Sequence, residues 1–516
     1  MRSADVRATV RPWLLAVPRV VSWPWGPPLL VVLLFYVVPG FAAMRPVIDG
    51  DVWWHLRAGE WMVQHHALPR VDPFAAPGAA KPWAADSWLF DLLMHGLYRE
   101  FGLGGLAVYR FLLCSAILIA LLWLGARGGG LGYIAIVVAG LSIAALMPLF
   151  APRSYLFSIL LYTVELTLLC SAMESGRWRR LWLLPPIFML WANVHIQFVY
   201  GLLALIVAIV AERLPAESGR SRDEGTGSRT LIEVTVACVA LTLATPYHVG
   251  LYAKAMTYAS QAAIYDVIEE LLSPQFRQPA DWIMLALALV AARMAGGQKP
   301  PRPFFVLLLG VTAFVSFRSS RDTWLLVVSA AAILTAPRGE RERAPRPRVA
   351  PRRLIAATAI VVGLLGIAAW RIGTVAAPWP AIVAARFPVA AAEIIAERGY
   401  PGPVYSPLDW GGYLLWSLPH LSVSIDGRTD VHGDVQIRRS AETWDGRRGW
   451  DVDPDVAAAG TVVAPVMTPL ATLLLGDPRF DVVYNDAVAR VFVARRAQNS
   501  RRHDPGGRRA TGEEVR

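Results

Sequence analysis

PPLLVVLLFYVVPGFAAM at residues 27–44, followed by IDGDVWWHLRAGEWM at 48–62, decides how the chain reads. The first stretch is unbroken apolar sequence of the length that crosses a bilayer as a helix, about 17–25 residues. The second sets two carboxylates, Asp49 and Asp51, directly behind it, with Trp53, Trp54 and Trp61 close by. Further apolar stretches fall near 106–126, 131–149, 155–173, 181–194, 197–212, 231–248, 281–295, 303–318, 323–337 and 354–371, giving about eleven spans by hydropathy. Those at 181–194, 281–295 and 323–337 are short, as re-entrant or broken helices are. Composition agrees. The 516 residues are 55% hydrophobic and 17% charged, with mean hydropathy +0.42; an average soluble domain is roughly 25% charged. A disordered chain is excluded, and a soluble enzyme of ordinary composition is disfavoured. Cys114, Cys170 and Cys238 each sit in an apolar run, which leaves neither a disulfide scaffold nor a cysteine zinc site.

The net charge of +11 is placed asymmetrically. Arg2, Arg7, Arg11 and Arg19, then Arg127, then Arg177, Arg179 and Arg180, then Arg213, Arg220, Arg222 and Arg229, then Arg293, Lys299 and Arg302, and finally the basic run 338–353 all fall on one side of an eleven-span chain. Positive loops stay in the cytoplasm, so these are topology signals, and nucleic acid is not the expected partner. The N-terminus is then cytoplasmic. The loops 45–105 and 247–280, and everything after about residue 372, lie outside. The first span also reads as a signal peptide through Phe41-Ala42-Ala43, which leaves the first loop outside as well.

Residues 1–371 therefore read as a transmembrane domain, and 215–230 as a polar cytoplasmic loop. From 372 to 496 the pattern changes to a small α/β domain. Its expected strands are at 404–405, 421–425, 461–463, 481–484 and 491–493, its helices at 391–398 and 467–475, and a turn falls at Gly411-Gly412. Residues 497–516 read as a disordered Arg/Gly-rich tail.

The first outer loop carries the densest chemistry: Asp49-Gly50-Asp51, His55, Asp72, and Asp86 in PWAADSWLFDLLMHGLY at 82–98. Carboxylates beside a bilayer mark substrate or ion sites, and Asp-x-Asp spacing lets both approach one hydroxyl or one cation. General-base activation of an acceptor hydroxyl fits. The alternative is an interfacial loop whose tryptophans anchor it among headgroups.

These stretches, with LPRVDPFA at 68–75 and WANVHIQFVYG at 191–201, resemble the GT-C superfamily of membrane glycosyltransferases. The similar members are the dolichyl-phosphate-mannose protein mannosyltransferases and bacterial transferases that decorate lipopolysaccharide from polyprenyl-phosphate sugars. Those enzymes carry acidic residues in the first outer loop, and Asp51 occupies the matching place with Asp49 beside it. The resemblance spans roughly 40–340 in layout and these short motifs in detail. It implies an inverting transferase in the inner (plasma) membrane. The partners implied are a polyprenyl-phosphate-linked sugar donor and an extracytoplasmic glycan, lipid or protein acceptor. PVYSPLDWGGYLLWSLPHLSVSIDGRTDVHGD at 403–434 resembles the end domain of a subgroup of bacterial membrane proteins without an established role. Asp426, Gly427, Arg428 and Asp430 form either a site or a turn held by Asp–Arg pairs.

A donor phosphate needs a cation, and arginine suits it. Arg153, Arg318 and Arg321 lie on the outer side, each with the alternative of a snorkelling helix-end residue; Lys254 and Arg277 are weaker candidates. Asn193, His195 and Gln197 form a polar cluster at an outer turn, lining a cavity or capping a helix. His55, His65 and His66 fit no strong ligand pattern, so a divalent metal with Asp51 stays open. G-x-S-x-G, the P-loop and G-x-G-x-x-G are absent. A transporter or flippase for a lipid-linked glycan is the competing function, and it predicts charges near the midplane. Here Glu165 and Glu233 are exceptions to apolar midspans. A catalytically inactive scaffold is the third reading.

The orientation is testable with a reporter active only when exported. Fused after Arg398, it should be active; activity confined to a cytoplasmic reporter at the same site contradicts the assigned topology.

Overall fold

The computed structural model describes residues 34, 49–75, 81–127, 132–214, 226–297, 302–337, 363, 367 and 379–496. The expected spans at 27–44 and 354–371, apart from single residues, and the basic run 338–353 and the tail 497–516 lie outside the described residues.

The first part is helical: α1 Asp51–His65, α2 Trp88–Ala126, α3 Tyr133–Leu146, α4 Tyr155–Ser175, α5 Leu184–Val194, α6 Phe198–Arg213, α7 Thr226–Thr242, α8 Gly250–Ser260, α9 Ile264–Val267, α10 Pro279–Gly297, α11 Pro303–Arg318 and α12 Thr323–Leu334. Short 3₁₀ turns at Met147–Leu149, Trp178–Leu183, Glu269–Leu271 and Ser320–Asp322 join several of them. Sequence fixes their ends locally. Gly176, at φ 70°, closes α4 with its N–H on the Ala172 carbonyl. Prolines open α5 and α11, where the missing N–H costs nothing. α2 bends at Gly102, so helix begins at Trp88 rather than near 106. Every residue of α12 is buried, which makes it the central helix. Apolar residues all round a helix are what such a position requires.

Among the described residues, α2, α4 and α10 are long and apolar enough to cross a membrane, and a bent pair at 379–398 adds a fourth if counted as one span; α3 and α11 are shorter apolar helices. Eleven spans is therefore still an expectation.

The remaining elements are α13 Trp379–Arg386, α14 Val389–Arg398, β1 Val404–Tyr405, α15 Leu408–Ser417, α16 Thr429–Trp444, α17 Pro454–Ala458, β2 Thr461–Pro465, α18 Pro469–Leu475, β3 Phe480–Asn485 and β4 Ala489–Ala494. The sheet has the order β1-β2-β4-β3. β1 and β2 are parallel; the other pairs are antiparallel. Tyr405, Trp444, Val462, Leu470 and Phe492 belong to a separate core beneath the sheet. Trp379, Phe387, Val404, Tyr413 and Val491 share the large core of the helical part. Two expectations need correction. Gly411 and Gly412 are inside α15, not in a turn, and 421–425 makes only the bridge Val404–Val423.

Buried polar contacts tie 424–434 to the segments 72–86 and 254–262. Arg428 reaches Asp72 at 2.5 Å and Asp426 at 2.7 Å, and its guanidinium lies 4.9 Å from the Phe74 ring and 4.8 Å from that of Trp83. Burial opposes both charges, but each holds the other ionised: Asp426 is driven well below the carboxylate range and Arg428 upward. Lys254 on α8 pairs with Asp86 at 2.6 Å and Asp430 at 3.0 Å. Gln261 donates to the Thr429 carbonyl, and Asp434 accepts from the Ala262 N–H.

Breaking a buried pair from one side strands its partner, at about 3–5 kcal/mol. Arg428→Met, which leaves Asp72 and Asp426 facing each other, should lower Tm by a corresponding amount. Adding Asp72→Leu and Asp426→Leu should recover most of the loss in a thermal melt in detergent.

Candidate active site

α1 starts where Asp49 Oδ1 accepts the Asp51 N–H at 2.9 Å. An acid at this position also suits the positive end of the helix dipole. The same turn presents both carboxylates to Arg153, which precedes α4. Arg153 Nε meets Asp49 Oδ2 at 2.6 Å; Nη1 meets Asp51 Oδ2 at 2.7 Å and Glu270 Oε1 at 2.6 Å. Tyr109 on α2 holds the Arg153 carbonyl at 2.8 Å. Three carboxylates from two separate segments, 49–51 and 269–271, thus converge on one guanidinium.

This environment splits the two aspartates. Both Asp49 oxygens are engaged, one by backbone and one by Arg153. Asp51 has one oxygen on Arg153, and its side chain is 24% exposed. Burial pushes Asp51 up to about 6; the Arg153 charge opposes the rise, while Asp49 and Glu270 add to it. A carboxyl so tuned is ionised near neutral pH yet more basic than an ordinary aspartate.

Arg321 lies on the far side of Glu270, with Nη1 4.0 Å from Oε1. Its Nε is buried with no hydrogen-bond partner. Arg318 stacks over Tyr265, 4.5 Å from the ring centre. Of the three arginines proposed for a phosphate, Arg153 is thus occupied by carboxylates, and Arg321 stands at the edge of the cluster. Lys254 is likewise spent on Asp86 and Asp430.

The 191–201 motif braces the floor. Asn193 accepts from Trp88 Nε1 at 2.9 Å and donates to the carbonyls of Met189 and Ala244. His195 Nδ1 is 2.8 Å from Ser158 Oγ, which also accepts from Trp191 Nε1 at 2.8 Å. Burial, with Arg321 nearby, holds His195 well below the usual histidine range, so it is neutral. Gln197 and Tyr200 both donate to Asp322, next to Arg321. His55 is engaged by other partners than Asp51: its Nδ1 is 2.5 Å from Asp91 Oδ1, and its ring stacks on Trp54. His65 and His66 stand at the other end of α1, about 20 Å away at 1.5 Å per residue. The metal set of His55, His65, His66 and Asp51 therefore does not assemble. Among the described residues, no three His, Cys, Asp or Glu side chains are grouped to hold a metal. Trp53 is no headgroup anchor either; it is buried against Phe387, Tyr413 and Trp416.

Glu270, Asp91, Ser158 and Asp322 escaped the sequence reading. Glu269-Glu270 was the available signal, an acidic pair in a largely apolar stretch.

No family model and no curated protein sequence matches the chain. Among solved structures, the oligosaccharyltransferase AglB from Archaeoglobus fulgidus, in complex with an inhibitory peptide and a dolichol-phosphate, is similar at TM-score 0.55 and 11% identity, over 86% of this chain and 70% of that one. ArnT from Cupriavidus metallidurans in the apo state is 16% identical over 90% of this chain and 97% of its own, at TM-score 0.44. Both are GT-C superfamily membrane glycosyltransferases, and the likeness to AglB shows that this chain shares its fold.

Removing the central cation should expose the mutual repulsion of the carboxylates. Arg153→Met should cost about 3–5 kcal/mol at pH 8. Without Arg153 the Asp51 carboxyl rises further, so the deficit shrinks as pH falls and protons neutralise it. Melting curves between pH 8 and 5 should show the gap to the unaltered chain closing toward the acid side.

Proposed function

We propose that the chain is a membrane glycosyltransferase that moves a sugar from a polyprenyl-phosphate donor to an extracytoplasmic acceptor, with inversion. The observation that carries this is Asp51: a half-buried carboxyl, raised to about 6, with one oxygen on Arg153. Both structural neighbours named above are glycosyltransferases, and AglB was captured with a dolichol-phosphate, which supports a donor of that lipid-phosphate class.

In this reading the acceptor hydroxyl oxygen attacks the anomeric carbon as the bond to the phosphate oxygen breaks. The hydroxyl proton passes to Asp51, and the polyprenyl phosphate leaves as an anion. Arg321, with its unpaired Nε, receives the phosphate charge; Arg318 stands close enough in the chain to assist. Charge stabilisation of this kind is usually the largest contribution to such a step. Arg153 keeps Asp51 in register, and Asp49 orients Arg153. Asn193, His195 and Gln197 brace the floor, and His55 fixes α1 on α2 through Asp91. The protein sits in the inner membrane, N-terminus inside and residues after about 372 outside.

A lipid-linked-glycan transporter has one observation in its favour: Glu165 on α4 is buried with neither oxygen bonded. Yet a Cβ at Gly201 would lie 2.6 Å from Glu165 Oε2 and 2.7 Å from the Trp191 ring. Close packing of that kind is not the lining of a path.

Asp51→Asn should fold, bind a synthetic polyprenyl-phosphate sugar and lose transfer by about 10²–10⁴-fold, the usual worth of a positioned base. Asp49→Asn should lose less. Arg321→Gln should weaken donor binding about ten- to a hundredfold, from the roughly 1.5–3 kcal/mol of a charged hydrogen bond. Turnover and donor affinity of the purified variants, with melting curves alongside, check all three. Near-normal turnover in Asp51→Asn removes it as the base.

A further inference from the structure

Asp51 Oδ2 is on Arg153; Oδ1 faces the C-terminal segment. A methyl group added to Gly427 would lie 1.9 Å from Asp51 Oδ1 and 2.9 Å from Trp54 Nε1. Real carbon atoms do not approach so closely, so something would have to move. The backbone does not itself require glycine here, because Gly427 is outside the left-handed φ region that its neighbour Gly433 adopts. The space requires it.

The segment carrying Gly427 is held on both sides. Asp426 and Arg428 are buried, bonded to each other and, through Arg428, to Asp72. The Gly427 carbonyl accepts from the Thr429 N–H at 2.9 Å. A second close approach lies one helix away, where a Cβ added at Gly412 would lie 2.7 Å from the Gly50 carbonyl oxygen. Asp51 is the more movable partner, since a single side-chain rotation relieves the clash. Trp54 lends no hold on it: its indole N–H is buried without a partner.

We propose that Gly427 is a positioning residue for the transfer reaction: its bare backbone closes against Asp51 and fixes where the free oxygen Oδ1 points. The base is then set by three remote segments, the turn 49–51, Arg153 and the loop 426–428. The proposal rests on the function assigned to Asp51 above. It gives the SIDGRTD stretch at 424–430 a part in that function: Asp426 and Arg428 clamp the loop, and the glycine between them lets it approach.

The test uses the full chain in detergent, with Gly427→Ala, Asp51→Ala and the double variant. A misplacement of about 1 Å costs on the order of a hundredfold. Gly427→Ala should therefore lose roughly ten- to a hundredfold in kcat, keep the donor KM, and move the midpoint of its pH–kcat profile. It should also melt lower. In the double variant the truncated side chain removes the closest contact and leaves the one to Trp54, so Gly427→Ala should lower Tm less on the Asp51→Ala background than in the unaltered chain. Normal kcat with an unmoved midpoint in Gly427→Ala overturns the proposal. So do Tm losses that simply add in the double variant, since the strain then lies elsewhere. The melting arm needs no activity. Absence of transfer by the unaltered chain would overturn the underlying function instead, and that result is told apart by the unaltered chain itself.

Discussion

The guanidinium of Arg153 is the element on which the site depends. Asp49, Asp51 and Glu270 come from two segments far apart in the chain and would repel one another without it. Each is within 2.7 Å of an Arg153 nitrogen. Partial burial strengthens these attractions and also makes an unpaired member costly. The arrangement therefore fixes the start of α1, the 3₁₀ turn at Glu269–Leu271 and the start of α4 relative to one another. Its second consequence is chemical. A carboxyl that shares one cation with two other acids, away from bulk water, holds its proton more tightly than an exposed one, and this raises Asp51.

A second set of buried charges brings the C-terminal segment onto that cluster. Arg428 with Asp72 and Asp426, and Lys254 with Asp86 and Asp430, join residues 424–430 to the segment 72–86 and to α8. Aromatic packing of Trp53 against Tyr413 and Trp416 adds the apolar part of the same contact. Below, the 191–201 motif links α5 and α6 to α2, α4 and the turn before α12. The helical part, the segments that join its helices and the sheet-bearing end thus meet at one place, around Asp51.

What the sequence disclosed followed how local each signal is. The apolar runs were legible because a membrane helix declares itself by composition over its own length. The four strands that form were legible because each is a short β-branched or aromatic run. Gly411-Gly412 misled because a glycine pair usually marks a turn; here small residues let α15 approach Gly50. The stretch 421–425 alternates like a strand but leaves the sheet after one bridge and descends to Asp51. Asp49, Asp51 and Arg153 each stood out singly. Their pairing did not, because 104 residues separate Asp49 from Arg153. Glu270 carries no motif, and its role exists only in the folded chain. His55 looked like a ligand because it follows the acidic turn; its orientation toward Asp91 depends on the packing of α1 against α2.

The pH dependence of sugar transfer from a polyprenyl-phosphate donor, measured with the intact chain, bears most directly on this account. A base raised by its burial in the Arg153 cluster predicts that kcat climbs with pH through a midpoint near the Asp51 value of about 6 and then levels. A rate already level across pH 5 to 8, or a midpoint in the ordinary aspartate range of about 4, would contradict it.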